Sequence, residues 1–540
     1  MSAQTSSAVP GQRAAVGVRV AQGALVTAAL LTVVITISGS VLGLARDVLL
    51  ARYFGANGGT DAFLVSWTVP ETAFCLVVEG AMSLLMVPLF SRALAEKRSV
   101  RDLVTATMPR VVVVLVAVSA AVALSAPLLV RLIAPGLVDP ALAVTCTRLT
   151  SVTVVAFGIA GYVSAALRAH HIFAAPAAIH LAYNVGILAL MWTLHGRLGI
   201  VSAAAGVALG SVLMIVVQLP SFLRHIGPPD LRNWLRRCLR SASRPPVNTG
   251  TAGALAFGAL MPIVVYTVAR QAQVYVERFL GASLPAGTIS HLNYAQKLAQ
   301  LPMLVALLVC TVTFPSLARS IAAGEVAIAR RRLESDLRMV TLLILPGAAY
   351  LFVFAPAVVR MLLEHGLFSA ADTEATASIV RVYAVGLLGH AMVGVATRPF
   401  FAGGRPTWYP AVALGIGLAV NAVLATATVS TFGVTTIAVA NGAGITTAAV
   451  LLLAGLRGQV VAVSLPATVA MMARAGLAAA TAGTAGWLAG RSTAGLGSIV
   501  VSVVGGLVVL AVFATSARLL GFHEIGAPVS LLIRRARRGR

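Results

Sequence analysis

Residues 24–56 of the chain read ALVTAALLTVVITISGSVLGLARDVLLARYFGA. Residues 24–44 carry no charged side chain, and a run of about 20 apolar residues is long enough to cross a bilayer as a helix. Arg46, Asp47 and Arg52 follow within the same apolar run. Because a charge inside a membrane helix normally faces a partner or a cavity, the stretch predicts a membrane-crossing helix whose charges pack or function inside the protein.

The rest of the chain continues this pattern. Its 540 residues are 59% hydrophobic and only 10% charged, with a mean hydropathy of +0.94. Soluble domains are about 25% charged and disordered chains are poorly hydrophobic, so both classes are excluded. The apolar runs are continuous, whereas a membrane β-barrel alternates polar and apolar residues. The composition therefore predicts an all-α polytopic membrane protein.

Apolar runs that end at charges or at Gly and Pro predict about 14 transmembrane helices. The predicted segments are 24–53, 61–91, 108–133, 141–167, 174–194, 198–222, 250–281, 287–318, 338–363, 375–401, 406–428, 433–456, 466–489 and 496–518. Neither a zinc site nor a disulfide framework is predicted from the four cysteines, which are scattered at Cys75, Cys146, Cys238 and Cys310.

Basic residues mark the two sides of this partition. Most of the 40 Lys and Arg residues fall in loops or helix ends on one side, as in the Arg-rich stretches 224–244 and 330–338. The loops and helix ends of the opposite side keep Arg131, Arg197 and Arg491. Because cytoplasmic loops are enriched in Lys and Arg, we predict a multi-pass cell-membrane protein with both termini in the cytoplasm. This orientation accounts for the net charge of +24, so no nucleic-acid partner is predicted.

The sequence also repeats itself. The repeated landmarks are Arg52-Tyr-Phe-Gly-Ala56 with Arg278-Phe-Leu-Gly-Ala282, Pro88-Leu-Phe-Ser-Arg92 with Pro315-Ser-Leu-Ala-Arg319, and Arg168 before Pro176 with Arg398 before Pro406. Their offsets are 226, 227 and 230 residues. The repeat predicts two halves of six helices, related by an axis along the membrane normal and followed by two further helices. Parallel repeats of this kind are typical of transporters, whose substrate route lies between the halves.

This partition predicts six regions. They are a cytoplasmic tail over 1–23, an N-lobe over 24–222, a basic cytoplasmic linker over 223–249, a C-lobe over 250–456, helices 13 and 14 over 457–520, and a basic cytoplasmic tail over 521–540.

Charged side chains at membrane depth are the candidate functional residues. They are Arg46, Asp47, Arg52, Glu71 and Glu79 in the first two helices with Asp61 at their junction, and Arg270, Glu277, Arg278 and Lys297 in the second half. Two interpretations stay open: these residues line a functional cavity, or they form salt bridges that fix helix packing. Asp61 follows Gly58-Gly59-Thr60 and is expected to cap the second helix. Interface pairing explains Glu277 and Arg278 as well as function does.

Motifs typical of catalysis are missing from the sequence. The nine histidines form no HExxH motif, and there is no GxxxxGK[ST] loop and no carboxylate cluster at metal spacing. We therefore predict a transporter rather than an enzyme, with no catalytic residues, no metal and no cofactor. Its transport would depend on the membrane potential, an ion gradient or a substrate gradient.

Several motifs resemble those of the MurJ/MviN family. They are GSVLGLARD at 39–47, FGA at 54–56, TDAF at 60–63 and EGAMS at 79–83, followed in order by Ala134-Pro-Gly136, Gln218-Leu-Pro220, Asn293-Tyr-Ala295 and Phe314-Pro-Ser-Leu317. Members of this family are lipid II flippases of the multidrug/oligosaccharidyl-lipid/polysaccharide exporter superfamily. The resemblance spans the whole chain and fits fourteen helices.

The resemblance implies a V-shaped bundle of two six-helix lobes, with the last two helices forming a lipid-facing groove. It implies that lipid II, an undecaprenyl-pyrophosphate-linked disaccharide-pentapeptide, moves from the inner to the outer leaflet by alternating access. The residues expected to bind substrate are Arg46, Asp47, Lys297, Arg270 and Glu79, and those expected to be structural or gating are Asp61, Arg52, Glu277 and Arg278. Expected partners are lipid II or a related polyprenyl-pyrophosphate glycan, membrane lipids and cell-wall synthases.

The sequence departs from the family pattern where arginines are usual. Ser40 and Phe74-Cys75 replace two of them, and Lys297 replaces a third. Arginine binds a pyrophosphate bidentately, whereas lysine offers a point charge. Three alternatives therefore stay open: a flippase for another polyprenyl-linked glycan, a cation-coupled drug exporter of the same fold, and a non-transporting scaffold that recruits cell-wall synthases. For the flippase, the membrane potential acting on the anionic substrate is the expected driving force.

Overall fold

The computed structural model describes residues 32, 34–227, 250–402, 407–493, 495 and 497–522. Every regular element in this part of the chain is helical. Twelve of the described helical segments are long and apolar enough to cross a membrane. The prediction of an all-α polytopic membrane protein is confirmed.

The first half of the sequence forms nine α-helices and one π-helix among the described residues. They are α1 (Val34–Phe54), α2 (Gly58–Phe74), the π-helix Cys75–Met86, α3 (Val87–Ala95), α4 (Val100–Leu124), α5 (Ala126–Ile133), α6 (Pro140–Ala169), α7 (Ala174–Ala177), α8 (Ile179–Leu198) and α9 (Val201–His225). In the π-helix each backbone bond skips one residue more than in an α-helix, a geometry found mostly near functional sites.

In the described residues of the second half and the C-terminal region there are nine further helices. They are α10 (Gly250–Gly281), α11 (Thr288–Ala299), α12 (Leu301–Ala322), α13 (Val326–Leu363), α14 (Ala370–Ala402), α15 (Tyr409–Phe432), α16 (Thr435–Gln459), α17 (Leu465–Ser492) and α18 (Ser498–Leu519). Each of the fourteen predicted segments coincides with one of these helices or with two or three in succession, so the fold is consistent with the expected fourteen.

The predicted bounds differ most at α13. The apolar run begins at 338, but the helix begins at Val326 because its first turns carry Arg330, Arg331 and Arg332, which interrupt hydropathy without interrupting a helix. Helix breaks at Ser125 and Gln300 were also missed, and each is followed within two residues by a proline, which suits the first turn of a new helix.

The described helices group into two compact units. Unit 1 contains Met1–Asp47, Ala73–Leu124 and Arg148–Pro245. A cluster around Phe90, Tyr162, Leu167 and Phe222 forms its core, and apolar burial of this kind stabilises the packing.

Unit 2 contains Val48–Thr72, Ser125–Thr147 and Pro246–Arg540. Two segments of the first sequence half therefore pack with the second half. The ring of Phe354 in α13 fits against glycines of α17 and α18: a Cβ on Gly490 would lie 2.9 Å from the ring, and Gly486 and Gly505 also contact it. Small residues let helices approach closely, so this slot fixes the last two helices to the second half.

Candidate functional site

The charged pair of the first helix is buried. Arg46 donates from Nε and Nη2 to Oδ1 of Asp47, at 3.1 and 2.9 Å, and from Nη1 to Oδ1 of Asn184, at 3.2 Å. Asn184 in α8 donates in turn to the main-chain oxygens of Gly39 and His180. Only 9% of Arg46 and 4% of Asp47 is exposed. The pair therefore connects α1 to α8 inside unit 1.

This placement explains how α1 tolerates two adjacent charges. Neighbouring residues point about 100° apart on a helix, but the Arg46 side chain turns back to the carboxylate of Asp47, so that both charges are compensated. A buried charge without a partner is strongly destabilising. Substrate binding by Arg46 and Asp47 stays a prediction, as it does for Arg270, which is exposed on α10.

Asp61 joins the two halves of the sequence. Its Oδ2 accepts a hydrogen bond from the N–H of Gly287 at 2.7 Å, and its Oδ1 accepts from the N–H and the hydroxyl of Ser290, at 2.7 and 2.6 Å. These donors lie at the N-terminus of α11, where a helix leaves N–H groups unpaired and favours a negative charge. A residue of the first half therefore caps a helix of the second.

The expectation that Asp61 caps its own helix was wrong. Asn57 does so: its Oδ1 accepts from the N–H groups of Gly59 and Thr60, at 2.9 and 3.1 Å. Asn and Asp are equally good caps, so the local sequence favoured both. The structure distinguishes the two residues, because Asp61 accepts its hydrogen bonds from the start of α11 and Asn57 accepts from the start of α2.

Glycine loops bring the backbones of the two halves together at the same end. Gly55 and Gly366 both have a φ of +66°, a conformation that glycine adopts without strain. A Cβ on Gly55 would lie 2.7 Å from the main-chain oxygen of Leu367, and a Cβ on Gly366 would lie closer still to the main-chain oxygen of Arg52. The N–H of Leu367 donates to the main-chain oxygen of Arg52 at 2.9 Å. Arg52 is exposed, and its side-chain Cγ also lies against Gly366.

A matching contact forms between the other two loops. A Cβ on Gly136 would lie 2.8 Å from the main-chain oxygen of Ala282. By the offsets of the sequence repeat, this contact is the counterpart, within one residue, of the contact between Gly55 and Leu367. Such reciprocal contacts are typical of a two-fold interface. We call these loop contacts, together with the bonds from Asp61 to α11, the outer closure, because the loop charges predict this end to lie outside.

A second pair of charges joins the halves deeper in the helices. Lys297 Nζ donates to Glu71 Oε1 at 3.2 Å. Beside it, the hydroxyls of Thr72 and Tyr275 are hydrogen-bonded at 2.9 Å. The side chains of Lys297 and Glu71 are 27% and 41% exposed. Unlike the pair in α1, these charges are accessible.

The contacts of Asp61 and Glu71 join equivalent positions of the sequence repeat. Gly287 is 226 residues after Asp61, and Lys297 is 226 residues after Glu71, which is the repeat offset itself. Two residues at equivalent positions touch only where the axis passes between them. The repeat therefore predicts an axis that runs between α2 and α11.

Glu277 and Arg278 form bonds within the second half. Glu277 Oε1 accepts from the hydroxyl of Tyr383 and from Nδ2 of Asn441, both at 2.9 Å, and Arg278 Nη2 donates to Oδ1 of Asn293 at 3.0 Å. The two side chains are 1% and 3% exposed. This geometry agrees with a structural role, which stays a prediction.

Uncharged partners were missed by the sequence analysis. They are Asn184, Ser290, Tyr383 and Asn441, whose residue types give no local signal in an apolar chain. The pairing of Glu71 with Lys297 had a signal, since both were candidates separated by the repeat offset. Glu79 lies in the π-helix, but its side chain falls outside the described residues. Within the described part of the chain, no group of three or more His, Cys, Asp or Glu residues is placed to hold a metal ion.

An apolar groove of about 750 Å³ lies between α13, α14 and α17. Phe352, Val385 and Gly483 are among its lining residues, and Arg381 is its charged one. The groove is the kind of surface that an acyl or polyprenyl chain fits, because such a chain gains contacts with apolar walls.

Sequence relatives extend over most of the chain. The family model "Lipid II flippase MurJ" matches residues 50–507. The lipid II flippase MurJ of Burkholderia cenocepacia is 28% identical over 387 residues, which cover 69% of this chain and 73% of that protein. The probable lipid II flippase MurJ of Rhizobium meliloti is 27% identical over 402 residues, covering 72% of each chain.

Solved structures show the same fold. A lipid II flippase MurJ in an inward closed conformation aligns with a TM-score of 0.71 at 21% identity, covering 91% of this chain and 99% of that one. An inward-facing MATE family multidrug transporter aligns with a TM-score of 0.59 at 13% identity, covering 81% and 98%. The fold resemblance is shared by both transporter types, whereas the family match separates them. The chain belongs to the lipid II flippase MurJ family.

Proposed function

We propose that this chain is a flippase that moves lipid II from the inner to the outer leaflet of the cell membrane by alternating access. The family match over residues 50–507 carries the proposal. Alternating access requires contacts that close one end and can be broken. The outer closure suits this requirement, because it consists of a few hydrogen bonds and backbone contacts between the two sequence halves.

Basic residues accessible in the helices would bind the pyrophosphate of the substrate. Lys297 is partly exposed and Arg270 is exposed, and both are cations on the second half. Charge-assisted hydrogen bonds to phosphate are about twice as strong as neutral ones, which offsets the loss of hydration when the substrate enters. Arg46 would join them only if its bonds to Asp47 and Asn184 open.

The polyprenyl chain would lie in the groove between α13, α14 and α17. Its apolar walls replace the contacts that the chain makes with membrane lipids, so the tail can stay in a lipid-like environment while the head group crosses. Cytoplasmic termini and the recruitment of cell-wall synthases remain predictions; residues 1–31 and 523–540 lie outside the described part of the chain.

A second candidate is a flippase for another polyprenyl-linked glycan. It is favoured by Lys297, which replaces an arginine, and by Ser40 and Phe74-Cys75, where the family pattern has two more. Fewer guanidinium groups mean weaker bidentate recognition of a pyrophosphate.

Depletion of the protein tests the proposal. Labelled lipid II that is accessible to a probe added outside the cell should fall on depletion and recover when the wild-type chain is restored. The Lys297→Gln variant should reach the membrane but fail to restore the accessibility of labelled lipid II. Arg330→Gln should restore it, because Arg330 pairs with Glu334 on an exposed helix surface. Unchanged accessibility of lipid II after depletion contradicts the proposal, and a normal lipid II supply with loss of another exported glycan supports the second candidate.

A further inference from the structure

We infer that Glu71 is a built-in counter-anion for Lys297, and that the diphosphate of the substrate displaces it, so that substrate binding loosens the two sequence halves from each other. The inference rests on the proposed function and adds Glu71 to it as a positioning residue. The ligand class is a lipid diphosphate.

The ion pair between Glu71 and Lys297 is accessible from outside the protein. The Glu71 side chain is 41% exposed and that of Lys297 is 27% exposed, and a 3.2 Å bond joins them. The buried acid Glu277 differs, since it is 1% exposed and bonded to Tyr383 and Asn441. If the pair only fixed helix packing, we would expect its side chains to be as buried as that of Glu277. The open pair leaves Lys297 within reach of an anion from outside the protein.

The ion pair also joins two equivalent positions of the sequence repeat. Glu71 and Lys297 occupy equivalent positions of the repeat, so one position holds an acid in the first half and a base in the second. Opposite charges at equivalent positions attract each other only where the two copies meet on the axis. Here they do meet, and the ion pair joins α2 to α11 across the repeat.

The Glu71 carboxylate and a bound diphosphate would compete for Lys297. An ammonium group has three donors and could hold two anions, but a diphosphate beside the Glu71 carboxylate would place like charges a few ångströms apart. The more highly charged anion should keep the lysine. Glu71 should therefore leave Lys297 when the diphosphate binds.

The consequence for the outer closure follows from the two helices involved. Asp61 bonds the first turn of α11, and Glu71 bonds Lys297 in its last turn. Helices α2 and α11 are thus held together near both ends of α11. Displacement of Glu71 removes the deeper ion pair and leaves the bond between Thr72 and Tyr275 and the outer closure to hold the halves.

The experiment measures binding and closure together in the full-length protein in nanodiscs. A polyprenyl diphosphate is the probe, and the matching polyprenyl alcohol is the uncharged control. Glu71→Gln should bind the diphosphate about two- to fivefold more tightly, the range expected for removing a partly exposed ion pair. The amides of Gly287 and Ser290 should exchange hydrogen faster on diphosphate binding in the wild type, and already do so without ligand in Glu71→Gln. Glu334→Gln, which breaks an exposed pair with Arg330, should behave as the wild type.

The double variant Glu71→Lys/Lys297→Glu keeps the ion pair and moves the cation to the other half. Because the two positions are equivalent about the axis, it should still bind the diphosphate within a few-fold of the wild type. Equal or weaker binding by Glu71→Gln, or unchanged exchange on binding, overturns the inference while the proposed function stands. A wild type that binds the diphosphate no better than the alcohol overturns the proposed function and the inference with it.

Discussion

At the scale of single residues, Arg46 illustrates the difficulty of assigning a role to a buried charge. Its bonds to Asp47 and Asn184 compensate the guanidinium in this structure. The same bonds would have to open before Arg46 could reach a pyrophosphate. Replacing a buried pair with apolar residues is often neutral or stabilising, whereas removing one partner is strongly destabilising. The contributions of Arg46 to stability and to transport therefore have to be tested with different variants.

Arg46→Met should lower the amount of folded protein in the membrane, because it leaves Asp47 buried without its partner, at a cost of about 3–5 kcal/mol. Arg46→Met/Asp47→Leu should restore the amount, since no charge is left behind. If Arg46 binds substrate, this double variant should still fail to move lipid II. Immunoblots of membranes and leaflet-resolved lipid II assays measure the two effects. Normal transport by the double variant would show that Arg46 only supports packing.

Sequence reasoning identified which residues carry charge at membrane depth but not how they pair. Asp61 was named as a gating or structural residue, yet its donors on Gly287 and Ser290 are main-chain and hydroxyl groups that composition does not reveal. The pairing of Glu71 with Lys297 could have been found from the repeat offset alone. The role of Arg46 could not be predicted from the sequence, because the burial of its side chain depends on how α1 and α8 pack.

At the scale of elements, α11 is a helix whose N-terminus is capped from the other half of the sequence. Asp61→Asn should remove an acceptor from this cap and destabilise it by about 1–3 kcal/mol, since a buried N–H loses its partner. Hydrogen exchange of the Gly287 and Ser290 amides should become roughly 5- to 150-fold faster. The amide of Leu367, bonded to Arg52, should follow if the outer closure opens as one unit.

Asp139→Asn is the matched control for this measurement. Asp139 caps the start of α6 by accepting from the N–H of Leu142, within the first half. This variant should leave exchange at Gly287 and Ser290 unchanged. Faster exchange at Leu367 in the control, or protection of Gly287 in Asp61→Asn, would contradict a closure that depends on Asp61.

Helix positions were largely predictable because apolar runs of membrane length leave few alternatives. The residues at which helices begin and end were less predictable. The charged start of α13 at Val326 was excluded by its arginines, although a helix that extends beyond the bilayer tolerates them. The grouping of Val48–Thr72 with the second half was not predictable either, since it depends on contacts between residues more than 200 positions apart.

At the scale of the whole molecule, the driving force depends on which charges move. A pyrophosphate carries roughly two negative charges, and a charge that crosses a potential of 100 mV changes free energy by about 2.3 kcal/mol. Outward movement from a negative cell interior therefore gains roughly 4–5 kcal/mol. Asp47 and Glu71 are each paired with a basic side chain, and the expected driving force acts on the substrate charge without a proton relay.

We expect an ionophore that collapses the potential to stop the export of labelled lipid II. A small change of the pH gradient at constant potential should leave export unchanged. Both can be measured in cells or in liposomes with imposed potassium and proton gradients. Export that survives loss of the potential and follows the proton or sodium gradient would instead assign a coupling role to Asp47 or Glu79.

We expect the π-helix Cys75–Met86 to let the helix that precedes it turn about its own axis. In such a segment every turn holds surplus residues, and passing one of them into a neighbouring α-helix changes no backbone group from paired to unpaired. Each residue passed turns the preceding segment by about 100° about its own axis. Glu71 lies one turn before the π-helix begins, so a single step of this kind should swing its carboxylate away from Lys297.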